Sequence, residues 1–269
     1  MAKYNKKRAR ELKHDKFRDT AMRLFDRLGD KLEGKGRTIL YGIAGLVLVA
    51  VIIGLFLKWT NRRADEARHA MGRAITIAST PVSGTPASGS SAGSFASEPE
   101  RAQKAIDEFQ KVAAKYGDPY RTEARYFIAT NLLYVDRNKG IAELSELTKS
   151  SDPEVATLSK FALAQADEVD GKYDEAAGLY RELAAQNGAV VTPETANLRL
   201  ALVYKKQSKT KEAADLLFNI VDSARKAKDA ESQPLAQSQA ARDAAEELQK
   251  LDPARYAQLT PEAPANLQF

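Results

Sequence analysis

The residues that could do chemistry begin with the stretch GSSAG at positions 89–93, which fits the G-x-S-x-G pattern of serine hydrolases. In those enzymes the serine stands on a sharp turn between a strand and a helix, and a histidine takes its proton. Here both flanks are rich in Gly, Ser and Pro, and the two histidines, His14 and His69, lie on opposite sides of a long apolar run. The pattern therefore does not predict an esterase.

A calcium loop is the second chemical candidate, because residues 167–171 read DEVDG. With Gly171 at the sixth position of such a loop, the first and last carboxylate positions fall on Ala166 and Ala177, which cannot bind the ion. The absence of cysteine excludes disulfides, thiolate metal sites and a cysteine nucleophile. Phosphate-binding, dinucleotide and paired-histidine motifs are also missing from the sequence. We therefore predict no enzyme activity, no catalytic residue, no cofactor and no metal.

The apolar run at residues 38–57 contains twenty residues without a charge. As a helix it would be about 30 Å long, which matches the hydrocarbon thickness of a bilayer. A cleaved export signal is excluded, because the run starts after thirty-seven residues and no small-residue cleavage site follows it. We predict a single transmembrane helix with Tyr41 and Trp59 at the two membrane interfaces.

The charge on the two sides of this run predicts its orientation. Residues 1–37 hold thirteen Lys or Arg and six Asp or Glu, a net charge of +7, whereas the whole chain carries +5. Positive flanks stay on the cytoplasmic side, so the N-terminus is expected in the cytoplasm and the large C-terminal part on the opposite side of the membrane. Because the C-terminal part is close to neutral, the basic pI does not predict nucleic-acid binding.

The basic tail at residues 1–37 carries one apolar stripe at helical spacing. We consider two interpretations: a helix lying on anionic lipid at the cytoplasmic surface, or a short helix that is solvated or bound to protein. The stripe consists of Phe17, Ala21, Leu24, Phe25, Leu28 and Leu32.

The remaining chain predicts an all-α fold. Residues 58–79 keep helical spacing and extend the membrane helix as the first helix of a repeat, and residues 80–97 form a Gly/Ser/Pro linker. Residues 98–251 have apolar residues at spacings of three and four, and residues 252–269 form a tail. We expect helices to start at Glu98-Pro99, Asp118-Pro119, Asp152-Pro153 and Thr192-Pro193, with turns at residues 137–140, 170–172 and 208–210.

A period in the helical region indicates a solenoid. The alanines at 105, 142, 176 and 213 are spaced 37, 34 and 37 residues apart, close to the 34-residue tetratricopeptide period. Three of them have a large residue four positions on, whereas Ala142 has Glu146 there. We expect about four helical hairpins, with residues 234–251 as a capping helix.

The concave face of such a solenoid is lined by the first helix of each hairpin, and it would bind protein but no small-molecule substrate. Alternatively, Phe127, Phe161 and Leu198 pack between neighbouring hairpins. The candidate protein-binding residues are Phe127, Asn131, Tyr134, Phe161, Gln165, Glu168, Leu198, Leu202 and Lys205.

Residues 161–183 look like a tetratricopeptide repeat nearly throughout, with Gly171, Tyr173, Ala176 and Tyr180 at the repeat's spacing. Together with the basic tail and single span, this layout resembles the ancillary SecYEG translocon subunit family of bacterial inner membranes. The resemblance implies periplasmic repeats that associate with translocon subunits, periplasmic chaperones or exported chains without catalysis. The alternative is a tetratricopeptide scaffold for envelope assembly or cell division that binds a folded partner.

Overall fold

The computed structural model describes residues 36–83, 94–186, 188–228 and 235–261, apart from the side chains at 36–47, 56, 57, 59 and 61. In this part of the chain the structure is all-α, as predicted, and Val82 and Phe95 form an isolated bridge. The helices are α1 (Gly36–Ala78), α2 (Glu98–Lys115), α3 (Tyr120–Val135), α4 (Arg137–Leu147), α5 (Pro153–Val169), α6 (Tyr173–Ala184), α7 (Pro193–Lys206), α8 (Thr210–Lys226), α9 (Gln239–Leu251) and α10 (Pro253–Tyr256).

The chain divides into two compact units at the boundary between Ala64 and Asp65. In the first unit, the large apolar side chains between positions 48 and 55 are 51–64% exposed. Among the residues whose side chains are described, no helix is long and apolar enough to cross a membrane. Much of the predicted span at 38–57 lies outside that set, as do the side chains of Tyr41 and Trp59 and the whole of residues 1–35.

The second unit is built from four apolar clusters that follow one another along the chain in its described part. The clusters are shared by α1, α2 and α3, then by α3, α4 and α5, then by α5, α6 and α7, and last by α7, α8 and α9. Each of α3, α5 and α7 therefore contributes to two clusters, because apolar residues stand on two of its faces. This arrangement stacks helix pairs, each of which buries its apolar faces only against its neighbours.

Side-chain caps start most of these helices. Asp152 and Thr192 accept backbone N–H groups at the starts of α5 and α7, as the sequence predicts. The cap of α2 is Ser97 rather than the predicted Glu98, and Pro119 precedes α3 without a side-chain cap. The serine has a short hydroxyl that reaches the N–H of the third residue, and this decides the register of α2.

A buried small residue and a buried large residue four positions later recur in the second helix of each of four successive hairpins. In the second of these hairpins the pair is Gly140 and Leu144, not Ala142 and Glu146, which are both exposed. The predicted turn at 137–140 is therefore wrong, because these residues form the first turn of α4. The full set is Ala105 with Phe109, Gly140 with Leu144, Ala176 with Tyr180, and Ala213 with Leu217.

Gly140 marks a close approach between α3 and α4. A Cβ atom there would lie 2.9 Å from the backbone nitrogen of Leu133 and 3.0 Å from the carbonyl oxygen of Ala129. Real Cβ atoms do not come this close to backbone, so the position excludes every side chain. Gly140 is the buried small residue of this hairpin, as alanine is in the other three. A pattern of alanines alone therefore predicts the wrong position here.

Two of the hairpin turns use a left-handed residue. Gly171 has a φ of +74° and Ser208 a φ of +60°, at equivalent places after α5 and α7. In each turn the following lysine returns its backbone N–H to the last helical turn: Lys172 donates to Asp167 at 2.8 Å, and Lys209 to Tyr204 at 2.9 Å. This six-to-one bond is the Schellman motif, which satisfies carbonyls that the helix end leaves free.

The C-terminal part closes the last cluster. Helix α9 buries Ala241, Ala244 and Leu248 against α7 and α8. Leu259, beyond α10, is also buried there, and Arg225 of α8 donates to the carbonyl of Thr260 at 2.6 Å. The expected capping helix is thus present from Gln239, and residues 252–261 of the predicted tail fold onto this unit.

Candidate functional site

Two cavities open on the odd-numbered helices of the second unit. The first, here called the N-terminal groove, has a volume of about 320 Å³ and is lined by α1, α3 and α5, including the cap of α5. Its residues are Met71, Ile75, Glu123, Tyr126, Phe127, Asp152, Glu154, Val155 and Leu158.

The floor of the N-terminal groove is apolar and its rim is acidic. Met71 and Val155 are buried, Tyr126 and Phe127 are half-buried, and Ile75 remains 40% exposed. Glu123 stands in the first turn of α3, and Asp152 and Glu154 stand at the start of α5. The contact between the starts of two consecutive odd-numbered helices therefore brings three carboxylates together.

Burial raises the pKa of the Glu123 carboxyl above its ordinary value, and the charges of Asp152 and Glu154 raise it further. No cation among the described residues counters these effects. One oxygen of Asp152 is occupied by the backbone N–H groups of Glu154 and Val155, at 2.9 and 3.2 Å. The rim is consequently an uncompensated negative site beside an apolar floor.

The second cavity, here called the C-terminal groove, lies between α7 and α9. It has a volume of about 470 Å³, and its apolar side comes from Leu198, Leu202 and Ala240. Its other residues are Thr195, Arg199, Gln239, Asp243, Glu246 and Glu247. This groove also carries acidic residues, but Glu247 is paired with Lys205 at 2.7 Å and Glu246 with Lys250 at 2.6 Å.

Three of the nine predicted protein-binding residues line these cavities: Phe127 in the N-terminal groove, and Leu198 and Leu202 in the C-terminal groove. Phe127 also stacks on Phe109, with ring centroids 4.9 Å apart, and Leu198 is buried in the last apolar cluster. Phe161 contacts Tyr180 edge to face at 5.8 Å. Phe127, Phe161 and Leu198, which the sequence assigns either to the groove or to packing, all pack between helices. Phe127 and Leu198 also line a groove.

Asn131 and Glu168 are corrections to the predicted set, because both side chains are buried and bonded internally. The Asn131 amide donates to the carbonyl of Phe127 at 2.8 Å, one helical turn earlier. Glu168 is 6% exposed and lies among Arg199, Lys206 and the hydroxyl of Tyr180. Neither side chain is available to a ligand in this structure.

The Glu168 cluster joins three helices at one carboxylate. Oxygen Oε2 accepts from Arg199 at 2.7 Å and from the Tyr180 hydroxyl at 3.2 Å, and Oε1 accepts from Lys206 at 2.9 Å. Burial is the main cause that raises the pKa of Tyr180 to about 12, so its hydroxyl keeps its proton as a donor. Both oxygens of Glu168 are thus bonded to protein groups, which links α5, α6 and α7.

The other predicted residues stand outside the two cavities. Tyr134 is 54% exposed near the end of α3, and Gln165 is half-buried on α5. Lys205 is exposed and holds Glu247 across the gap between α7 and α9.

The two stretches considered for chemistry are the possible calcium loop at residues 167–171 and the G-x-S-x-G pattern at residues 89–93. Asp167 is held by Lys172 at 3.4 Å and Asp170 by Arg137 at 2.7 Å, so protein cations already neutralise the acidic stretch at 167–171. Among the residues described, no group of acidic or histidine side chains could hold a metal ion. The GSSAG stretch at 89–93 lies outside the described residues.

Five of the N-terminal groove residues were not singled out from the sequence: Glu123, Tyr126, Glu154, Val155 and Leu158. Asp152 was considered only as part of a helix start. Acidic first turns occur in α3 and α5 but also in α2, α6, α7 and α8, so only the contact between α3 and α5 distinguishes this rim. Comparison with protein-family models, with curated proteins and with solved structures finds no match to this chain.

Proposed function

We propose that this chain is a membrane-anchored periplasmic protein-interaction module, built as a tetratricopeptide-like solenoid and ancillary to the Sec translocon. It binds translocon subunits, chaperones or emerging polypeptides in its grooves and catalyses no reaction. The observation that carries the proposal is the lining of these two grooves, which comes from odd-numbered helices, whereas a smaller cavity of about 240 Å³ lies between α7 and the even-numbered helix α8. In a solenoid of helical hairpins these helices form the concave face, where extended or helical peptides bind.

The repeat assignment is supported by the small and large residue pairs. With Gly140 in place of Ala142, the small residues stand at 105, 140, 176 and 213, at spacings of 35, 36 and 37 residues. All four are buried, and so are the large residues four positions later. The corrected register is more even than the one first predicted, and it comes close to the tetratricopeptide period.

The membrane anchor is supported by the sequence and by one feature of the first unit. Residues 38–57 have no charge, and the large apolar side chains described between positions 48 and 55 are exposed. Such a surface is unfavourable in water and favourable in hydrocarbon, at about 25 cal/mol for each Å². The excess of positive charge in residues 1–37 supports a cytoplasmic N-terminus.

Photo-crosslinking in bacterial cells tests the proposal. A photoreactive amino acid would replace Ile75 in the N-terminal groove or Leu202 in the C-terminal groove, and the same amino acid at Ala142, exposed on the even-numbered helix α4, is the control. We expect crosslinks to translocon subunits, chaperones or exported chains from the two groove positions and few from the control. Blocking secretion should reduce the crosslinks to exported chains.

Two other outcomes have distinct meanings. Crosslinks to a single folded envelope protein that are insensitive to the secretion block would favour the scaffold function instead. Equal crosslinking from Ala142 and from the groove positions would contradict any groove-based function.

The absence of cysteine allows a clean topology test, because every single-cysteine variant has one defined thiol. Tyr134→Cys places that thiol at an exposed position in the second unit. In cells with a permeable outer membrane, we expect a reagent that cannot cross the inner membrane to label it. Labelling only after lysis would contradict the periplasmic location.

A further inference from the structure

We propose that the N-terminal groove binds polypeptide segments in which a lysine or arginine stands next to large apolar side chains. This inference rests on the proposed function and names the chemistry of its ligand. The floor would bind the apolar side chains of the peptide, and the carboxylates of Glu123, Asp152 and Glu154 would bind its lysine or arginine.

The floor argues for an apolar side chain. Its described residues leave a water-accessible volume of about 320 Å³ between α1, α3 and α5, walled by side chains such as Met71, Val155 and Leu158. Ile75 alone keeps 40% of its surface exposed. This volume is at the lower end of ligand cavities, roughly 300–1,000 Å³, and suits one or two side chains rather than a large cofactor.

The rim argues for a cation. Glu123 and Glu154 form no ion pair with any described residue, and they share this rim with Asp152 and with no lysine or arginine. Burial and the neighbouring carboxylates raise the pKa of Glu123, which means that its charge is held at a cost. A bound ammonium or guanidinium group would relieve that repulsion.

The same carboxylates exclude anionic ligands. Phosphate groups and nucleic acids would be repelled by the three acidic side chains, because nothing cationic lines this groove. The described residues also provide no metal-binding group here. The ligand that complements this groove is therefore a cationic group joined to an apolar group.

The aromatic side chains favour a polypeptide as the carrier of that cation. Tyr126 and Phe127 line the groove together with the carboxylates, and their ring centroids are 5.3 Å apart. Lysine and arginine combine an apolar stem with a charged head, and both bind aromatic faces. One side chain of this kind can therefore contact rings and carboxylates together, with its apolar neighbours on the floor.

Peptide binding to the full-length chain in lipid nanodiscs tests the inference. The probe is a fluorescein-labelled peptide GSGLRFLSGS, and fluorescence anisotropy gives its Kd. Three matched peptides replace the arginine with glutamine, replace it with glutamate, or replace the leucines and phenylalanine with serine. We expect the parent peptide to bind most tightly, and the glutamate peptide to bind at least about tenfold more weakly.

Variants of the protein locate the binding site. Glu123→Gln and Glu154→Gln should each weaken binding of the parent peptide by roughly three- to tenfold and leave the glutamine peptide unaffected. Glu154 is exposed, so its variant is expected to fold normally even if the Glu123 variant does not. Glu212→Gln is the matched control, because Glu212 is also a first-turn glutamate but belongs to the even-numbered helix α8.

The outcomes separate this inference from the proposed function. Equal Kd values for the arginine and glutamate peptides, or an equal effect of Glu212→Gln and Glu154→Gln, would overturn the charge assignment while the groove crosslinks stand. No binding of any peptide, together with no groove crosslinks, would overturn both proposals.

Discussion

Glu168 of α5 and Arg199 of α7 form an ion pair of 2.7 Å that spans the intervening helix α6. Tyr180 of α6 donates its hydroxyl to the same carboxylate oxygen, and Lys206 binds the other oxygen. One buried carboxylate thus connects α5, α6 and α7, the same three helices that share the third apolar cluster.

Glu168→Gln should therefore lower stability by about 2 kcal/mol. The change leaves Arg199 and Lys206 without their counter-charge, although both are partly exposed, so water limits the loss to less than that of a fully buried pair. In a chain of this size the melting temperature should fall by roughly 4–8 °C, as measured by circular dichroism. Glu182→Gln, which breaks the exposed pair with Lys160, should cost less than about 0.5 kcal/mol. Equal losses would contradict the role of Glu168.

The left-handed turns predict opposite effects of two substitutions. Ser208→Gly should stabilise the protein by about 0.5–1 kcal/mol, because serine is strained at a φ of +60° and glycine is not. Gly171→Ala should destabilise it by about 1 kcal/mol for the same reason at a φ of +74°. Thermal unfolding of the two variants checks both signs. A loss of stability in Ser208→Gly would show that the serine makes a favourable contact in its turn.

The contact between α3 and α4 predicts different effects at two helical glycines. Gly140→Ala should cost about 1–3 kcal/mol, because the added methyl group would lie 2.9 Å from the backbone of Leu133 and force the helices apart. Gly178→Ala, in α6, meets nothing within 4 Å and should stabilise by about 0.5–1 kcal/mol. Urea unfolding of both variants provides the comparison. Similar effects at the two sites would contradict the close approach of α3 and α4 at Gly140.

The pKa of Glu123 predicts a stability difference that depends on pH. Because this pKa is raised in the folded protein above its ordinary value of 4.5, the folded state holds the proton more tightly than the unfolded chain. Ionisation therefore destabilises the fold, and the loss is complete above the folded pKa and absent below the unfolded one. Glu123→Gln should raise the melting temperature at pH 7, and this gain should disappear as the pH falls below 4.5.

The matched control for that titration is Glu212→Gln, at an exposed first-turn glutamate, which should show no comparable gain at pH 7. A gain in Glu123→Gln that stays constant down to low pH would assign the effect to packing rather than charge. If the gain at pH 7 occurs together with weaker peptide binding, the repulsion at the groove rim is retained for binding at the expense of stability.

The helices and most of their ends could be predicted from the sequence because their causes are local. Apolar residues at spacings of three and four, proline after Asp152 and Thr192, and glycine at 171 each act within one turn of their own position. The turn at Ser208 was predicted as well, although the residue type conceals its left-handed conformation.

The candidate site was harder to predict. Periodicity shows which residues share a face of one helix, but α3, α5 and α7 bury residues on two faces, so it could not tell a groove residue from a packed one. Asn131 and Glu168 were assigned to the groove for this reason and are buried instead. Phe127 lines a cavity and also packs on Phe109, so its role in protein binding stays a prediction.

By itself, the sequence determined the all-α class, the hairpin order and the turn at Gly171, because neighbouring residues set backbone preferences wherever the chain goes. Only the tertiary structure decided that Gly140 stands at the close contact between α3 and α4, and that Glu168 joins three helices. It also decided that Glu123, Asp152 and Glu154 share one rim, since these contacts join helices whose distance in space no local pattern encodes.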